Sequence, residues 1–129
     1  LSMKRILLTL VMVGMMANIV YAVEPIGEDV KSLVINSIKG YDRIIDASIY
    51  QRGKKVMIIL IADYGTSEQY ARRMGGNLVR MLKSSSLDTS PNNRIGPGIY
   101  EYHVKVTMPS QTMLAEGVKL DIGHNLKWL

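Results

Sequence analysis

The chain has 129 residues, a length that suits one domain, and 21% of them are charged. It contains no cysteine, which excludes disulfides, thiolate metal sites and lipid attachment through a lipoprotein cysteine. The formal charge is +5 and falls to +3 once Lys4 and Arg5 are set apart with the leader described next, so the basic balance is a poor argument for nucleic acid.

Met3, Lys4 and Arg5 make a basic start, and Leu1 and Ser2 ahead of them read as a scar or an upstream extension. From Ile6 to Val23 the only polar side chains are Thr9, Asn18 and Tyr21, and the run ends in Val20-Tyr21-Ala22. Charged, then apolar, then small is the order of a cleaved signal peptide, here residues 1–22. The competing reading is a retained membrane anchor, since a span needs roughly 17–25 residues. No basic stop-transfer cluster follows; Glu24, Glu28 and Asp29 do. The expectation is therefore a periplasmic or secreted domain over residues 23–129, with membrane insertion only if the leader stays attached.

Pro25 and Gly27 disfavour helix, so the mature chain opens on a short extended lead. A first helix follows over 28–39, with Val30, Leu33, Val34, Ser37 and Ile38 on one face. Glu28 and Asp29 suit its N-terminal dipole, Lys39 suits the other end, and Gly40 is placed for a left-handed cap. Two strands, 43–51 and 54–62, read as a hairpin turning at Arg52-Gly53. If residue 51 faces 54, then Ile45, Ala47, Ile49, Val56, Ile58 and Leu60 share the core face. The opposite face carries Asp46, Ser48 and Tyr50, then Met57, Ile59 and Ile61. The second strand is thus apolar on both sides.

Thr66-Ser67-Glu68-Gln69 has the form of a capping box, with Thr66 as N-cap. The second helix runs to about Ser84 on a stripe of Tyr70, Ala71, Met74, Leu78, Met81 and Leu82. Gly75 and Gly76 sit inside it, where each costs about 1 kcal/mol against Ala; close approach to the sheet, or a kink, is the expected reason. Residues 84–98 read as a loop. Tyr100, Tyr102, Val104, Val106 and Met108 then alternate with Glu101, His103, Lys105 and Thr107, a clear strand. After a turn at Pro109-Ser110, the returning strand 111–122 changes phase, which predicts a bulge at Glu116-Gly117. Trp128 and Leu129 are expected to fold back on the core. The fold class is α+β: a two-layer sandwich in the order αββαββ, a four-stranded, mainly antiparallel sheet with two helices on one face.

Chemistry-bearing residues are sparse. Pairing about Pro109-Ser110 places Glu116 opposite His103, an arrangement that serves either as a base with its orienter or as a solvated cross-strand pair. His103 and His124 lack acids at ligand spacing, so no metal is expected, and no cofactor motif is present. Ser84-Ser85-Ser86 lacks the elbow that presents a catalytic serine, and no catalytic residue is assigned. Arg72, Arg73, Arg80 and Lys83 make a basic side on the second helix, which could meet an anionic membrane surface, an acidic partner or nucleic acid; with no aromatics interleaved, stacking on single strands is disfavoured. The sharper feature is Tyr50, Met57, Ile59 and Ile61: with both helices on one side, this patch faces water unless something covers it. The candidates to cover it are the 84–98 loop, the Trp128 tail, a second copy or a different protein.

Over Ile38-Lys39-Gly40, Ala47-Ser48-Ile49, Val56-Met57-Ile58-Ile59 and the helix from Ser67 to Lys83, the pattern resembles small αββαβ modules. These are the ring-building motifs of secretion-system and sporulation-channel proteins and, more distantly, BON-type periplasmic domains. The resemblance covers about half the chain and implies a non-enzymatic role in envelope assembly through domain contacts. The extra C-terminal hairpin and the missing lipid-anchor cysteine depart from it. The leading expectation is a non-catalytic binding or assembly module acting through the apolar sheet face or a strand edge. The alternatives are a small ligand-binding or hydrolytic protein with a site near His103, and a basic helix that meets nucleic acid or membrane.

Overall fold

A computed structural model describes residues 24–86 and 98–129. The proposed leader and most of the 84–98 loop lie outside these residues. The elements are α1 (Glu28–Lys39), β1 (Ile44–Arg52), β2 (Lys55–Ala62), α2 (Glu68–Ser85), β3 (Glu101–Thr107), β4 (Met113–Lys119) and β5 (Lys127–Trp128). The strands form one five-stranded sheet in the order β1-β2-β3-β4-β5. Pairing is antiparallel except between β2 and β3, which run parallel. The α+β class holds, while the sheet is mixed and gains a fifth strand. The parallel pair has a simple cause. An α2 of 18 residues is about 27 Å long, enough to carry the chain back along β2. Glu101 N–H accordingly bonds Lys54 C=O at 2.8 Å, so β3 starts where β2 starts. Hydrophobic periodicity specifies which face a strand buries, not which neighbour it takes.

In α1, Val34 and Ile38 are buried. Leu33, expected inside, is 59% exposed. Gly40 closes the helix in the right-handed region at φ −76°, so the left-handed cap is not used there; Arg43 takes the positive φ of 68° instead. The hairpin turns on Gly53 at φ 60°, a conformation glycine adopts without steric cost, with Arg52 opposite Lys55. Ile49 therefore faces Ile58 rather than Val56. A two-residue slip preserves parity, so the same side chains remain inside. The exception is Ile45: the register shifts between Ile44 and Asp46, Ile44 is buried, and Ile45 is 47% exposed. Such a bulge inserts one residue into the strand.

The α2 N-cap is Ser67, not Thr66: its Oγ accepts the Tyr70 N–H at 3.1 Å. Thr66 is buried and donates its hydroxyl to Asp63 C=O at 2.7 Å. Ala71, Met74, Leu78, Val79 and Leu82 pack onto Ile58, Leu60, Tyr102, Val104 and Val106 in the core. Lys83, expected on the solvated side, is buried.

No phase change occurs at Glu116-Gly117. Thr107 pairs Met113 and Val106 pairs Ala115, so Leu114 is the bulged residue. Beyond it the odd positions stay inside, and Ala115, Gly117 and Lys119 are all buried. Lys119 Nζ donates to Leu120 C=O at 2.8 Å. Leu120 and Ile122, expected inside, are 51% and 78% exposed. Gly117 has a different use. A Cβ there would lie 2.8 Å from Trp128 Cε3, and one at Gly75 would lie 2.7 Å from Trp128 Cη2 and 3.0 Å from Val104 Cγ1. The indole of β5 thus slides between α2 and β4 on the helix side of the sheet. That close approach accounts for a glycine inside α2, which continues unbroken to Ser85.

Candidate functional site: the open face of the sheet

Because α1, α2 and Trp128 all gather over the buried side chains, none of them covers the alternate positions. Register lines these up in rows. Tyr50 lies beside Met57, then His103, Val118 and Lys127; Ser48 lies beside Ile59, then Lys105 and Glu116; Asp46 lies beside Ile61 and then Thr107. Tyr50 is 58% exposed, and Met57, Ile59, Ile61 and Val118 are half-buried. An apolar band centred on β2 is therefore bordered by charged residues of β3 and β4.

The four residues of the expected patch, Tyr50, Met57, Ile59 and Ile61, do lie together on this face. The tail does not cover them: Trp128 pairs with Gly117 and points to the helix side. Val118 extends the band and was missed because the expected phase change put it in the core. The signal that could have placed it is the unbroken odd-position pattern Ala115, Gly117, which needs a small residue rather than a bulge.

His103 and Glu116 are not partners. Val118 stands opposite His103, and Lys105 opposite Glu116. His103 instead holds Glu101 on its own strand, Nε2 to Oε2 at 2.6 Å. The pair is partly exposed. A cleft of about 390 Å³ is lined by Glu24, Pro25, Ile26, Val30, Ser86 and Tyr100, and His103 does not line it. There Tyr100 donates its hydroxyl to Glu24 C=O at 2.7 Å, and Ile26 N–H donates to Gln51 Oε1 at 2.7 Å. Among the described residues, no group of three or more His, Asp or Glu could hold a metal ion.

The basic side of α2 is dispersed by its own structure. Arg72 pairs with Glu68 at 2.7 Å and lies 5.9 Å from the Trp128 ring centroid. Arg73 sits 5.3 Å from the Tyr70 ring centroid, Arg80 Nη1 reaches Asn77 Oδ1 at 3.4 Å, and Lys83 is buried. This leaves Arg73 and Arg80 as the exposed members, too few for a continuous phosphate track. Where β2 and β3 begin, Lys54 Nζ meets Asp121 Oδ2 at 3.0 Å, and that bond holds the Asp121 carboxyl below the ordinary aspartate value. Among the described residues, no helix is long and apolar enough to cross a membrane.

No protein-family model, curated protein or solved structure matches the chain. The likeness to ring-building and BON-type modules is accordingly one of element pattern.

Proposed function

We propose that the domain is an exported, non-catalytic binding or assembly module whose working surface is the open sheet face. One observation carries this reading: among the described residues the packing elements lie on one side, and the other presents Met57, Ile59, Ile61 and Val118 beside an exposed Tyr50. Contiguous apolar surface of this kind marks association sites more often than it marks bare solvent contact. The rim adds specificity. His103 with Glu101, and Lys105 beside Glu116, put both signs of charge along one side of the band, and such charges set register and select partners more than they add affinity. The occupant is a protein partner or a second copy.

The face is favoured over the free edge of β1. That edge is bent by the shift at Ile44–Asp46, and the Asp46 carboxylate accepts the Ala47 N–H at 2.8 Å. Bulges and charged side chains are the usual means of blunting an edge against strand addition. Light scattering of the wild type against Ile59→Asp tests the proposal, together with pull-down from an envelope extract. The expected outcome is loss of self-association or of the captured partner at unchanged folding. A wild type that is strictly monomeric, captures nothing and matches Ile59→Asp in solubility would overturn it.

A further inference from the structure

The contact that closes the helix side of the sheet is built like a bound ligand. β5 has two residues, paired as Gly117 with Trp128 and Val118 with Lys127. One further main-chain bond, Leu129 N–H to Glu116 C=O at 2.8 Å, extends the ladder. Lys127 is exposed and Leu129 is 72% exposed, so the indole is the main anchor, with half-buried Leu126 packed against the core two residues earlier. The slot is shaped for that ring. Gly75 on one wall and Gly117 on the other lack the methyl that would strike it, and Arg72 lies over its face. The chain reaches the slot through residues 120–126, tied at Asp121 to Lys54 and Gly98 and packed on the core at half-buried Leu126; between those two points no side chain is buried.

From this geometry we infer that the α2–β4 slot is a docking site for an aromatic-anchored strand, filled in this chain by its own residues 127–129 and open to the same segment of a second copy. The argument is one of complementarity and connection. A second copy's tail offers the same indole, the same two paired residues and the same bond to Glu116, so the contacts made in exchange are those already present. Only residues 122–125, between the Asp121 tie and Leu126, must change their path, and none of their side chains is buried. What favours the chain's own tail is its tether, which supplies an effective concentration of about millimolar order for a short flexible linker. Exchange is therefore set by the density of copies, and a crowded assembly would shift it from closed units to tail-linked ones. The slot and the open face lie on opposite sides of the sheet, so this inference stands or falls separately from the proposed function.

The absence of cysteine makes the test clean. Val118 and Lys127 are paired neighbours, half-buried and exposed respectively, so a cysteine at either disturbs little. One full-length chain carries Val118→Cys and another carries Lys127→Cys. They are mixed at rising concentration under an oxidant and compared with Lys127→Cys mixed with Ser48→Cys on the far edge strand. The expected result is a disulfide-linked heterodimer at least tenfold above that control, rising with concentration. It should persist in an Ile59→Asp background and fall severalfold when Trp128→Ala is added to the Lys127→Cys chain. Product no greater than the Ser48→Cys control would overturn the inference. So would product that vanishes with Ile59→Asp, since the contact would then belong to the open face. Neither of these readings depends on Trp128→Ala folding normally.

Discussion

Gly75 and Gly76 are adjacent in one helix and have opposite surroundings. At Gly75 an added methyl would meet Trp128 Cη2 at 2.7 Å and Val104 Cγ1 at 3.0 Å, an indole ring and a buried valine branch rather than the free end of a flexible side chain. Overpacking of that kind costs about 1–3 kcal/mol, more than the roughly 1 kcal/mol an alanine gains in helix propensity. At Gly76 the nearest neighbour is Arg80 Nη1 at 3.4 Å, the free end of a flexible side chain. Gly75→Ala should therefore lower the thermal midpoint and Gly76→Ala raise it, by up to about 1 kcal/mol in the latter case. Unfolding curves of the two variants that move in the same direction would refute this account of the slot.

Among the elements, the connector from β4 to β5 is held at Asp121. Its carboxylate takes the Lys54 ammonium at 3.0 Å, and its carbonyl accepts the Gly98 N–H at 2.8 Å. The lysine contact lowers the folded pKa of Asp121, chiefly through that side-chain hydrogen bond. A group with a depressed folded pKa contributes stability that is fully present above its unfolded value, about 3.9, and is lost as pH falls through the lower folded value. The tie should thus hold at neutral pH and release only in acid. Amide exchange at Gly98, followed by NMR as the pH is lowered through that acidic range, should speed up in the wild type. In Asp121→Asn the exchange, corrected for its intrinsic pH dependence, should already be fast and flat. A wild-type profile as flat as the variant's would show that the carboxylate holds nothing.

For the whole molecule, the lead segment bears on processing. The Glu24 carbonyl is bonded by Tyr100 Oη and lies 3.4 Å from Gln51 Nε2, two residues past the expected cut after Ala22. A peptidase needs that stretch extended and free, so cleavage should precede docking of the lead onto the domain. The exported chain is expected to begin at Val23, and intact mass of protein recovered from the envelope fraction checks it. A species keeping residues 1–22, or one confined to the cytosol, would refute the export reading and with it the setting of the proposed function.

Local pattern was sufficient for much of this protein. Both helices, the four main strands and the grouping of Tyr50, Met57, Ile59 and Ile61 follow from periods of 3.6 and 2, because burial on one side demands them. A two-residue slip of the β1–β2 register left this intact, since parity survives even shifts. What the pattern could not settle was decided in three dimensions. The parallel β2–β3 pair depends on where α2 delivers the chain. The partner of His103 depends on the turn and on a bulge at Leu114, each of which moves the register by one residue, so that Val118 rather than Glu116 comes opposite it. The burial of Lys83 and Lys119, and the paired glycines around Trp128, arise where elements distant in sequence meet. Periodicity reports which side of an element is dry; only the packed structure sets what each dry side rests against.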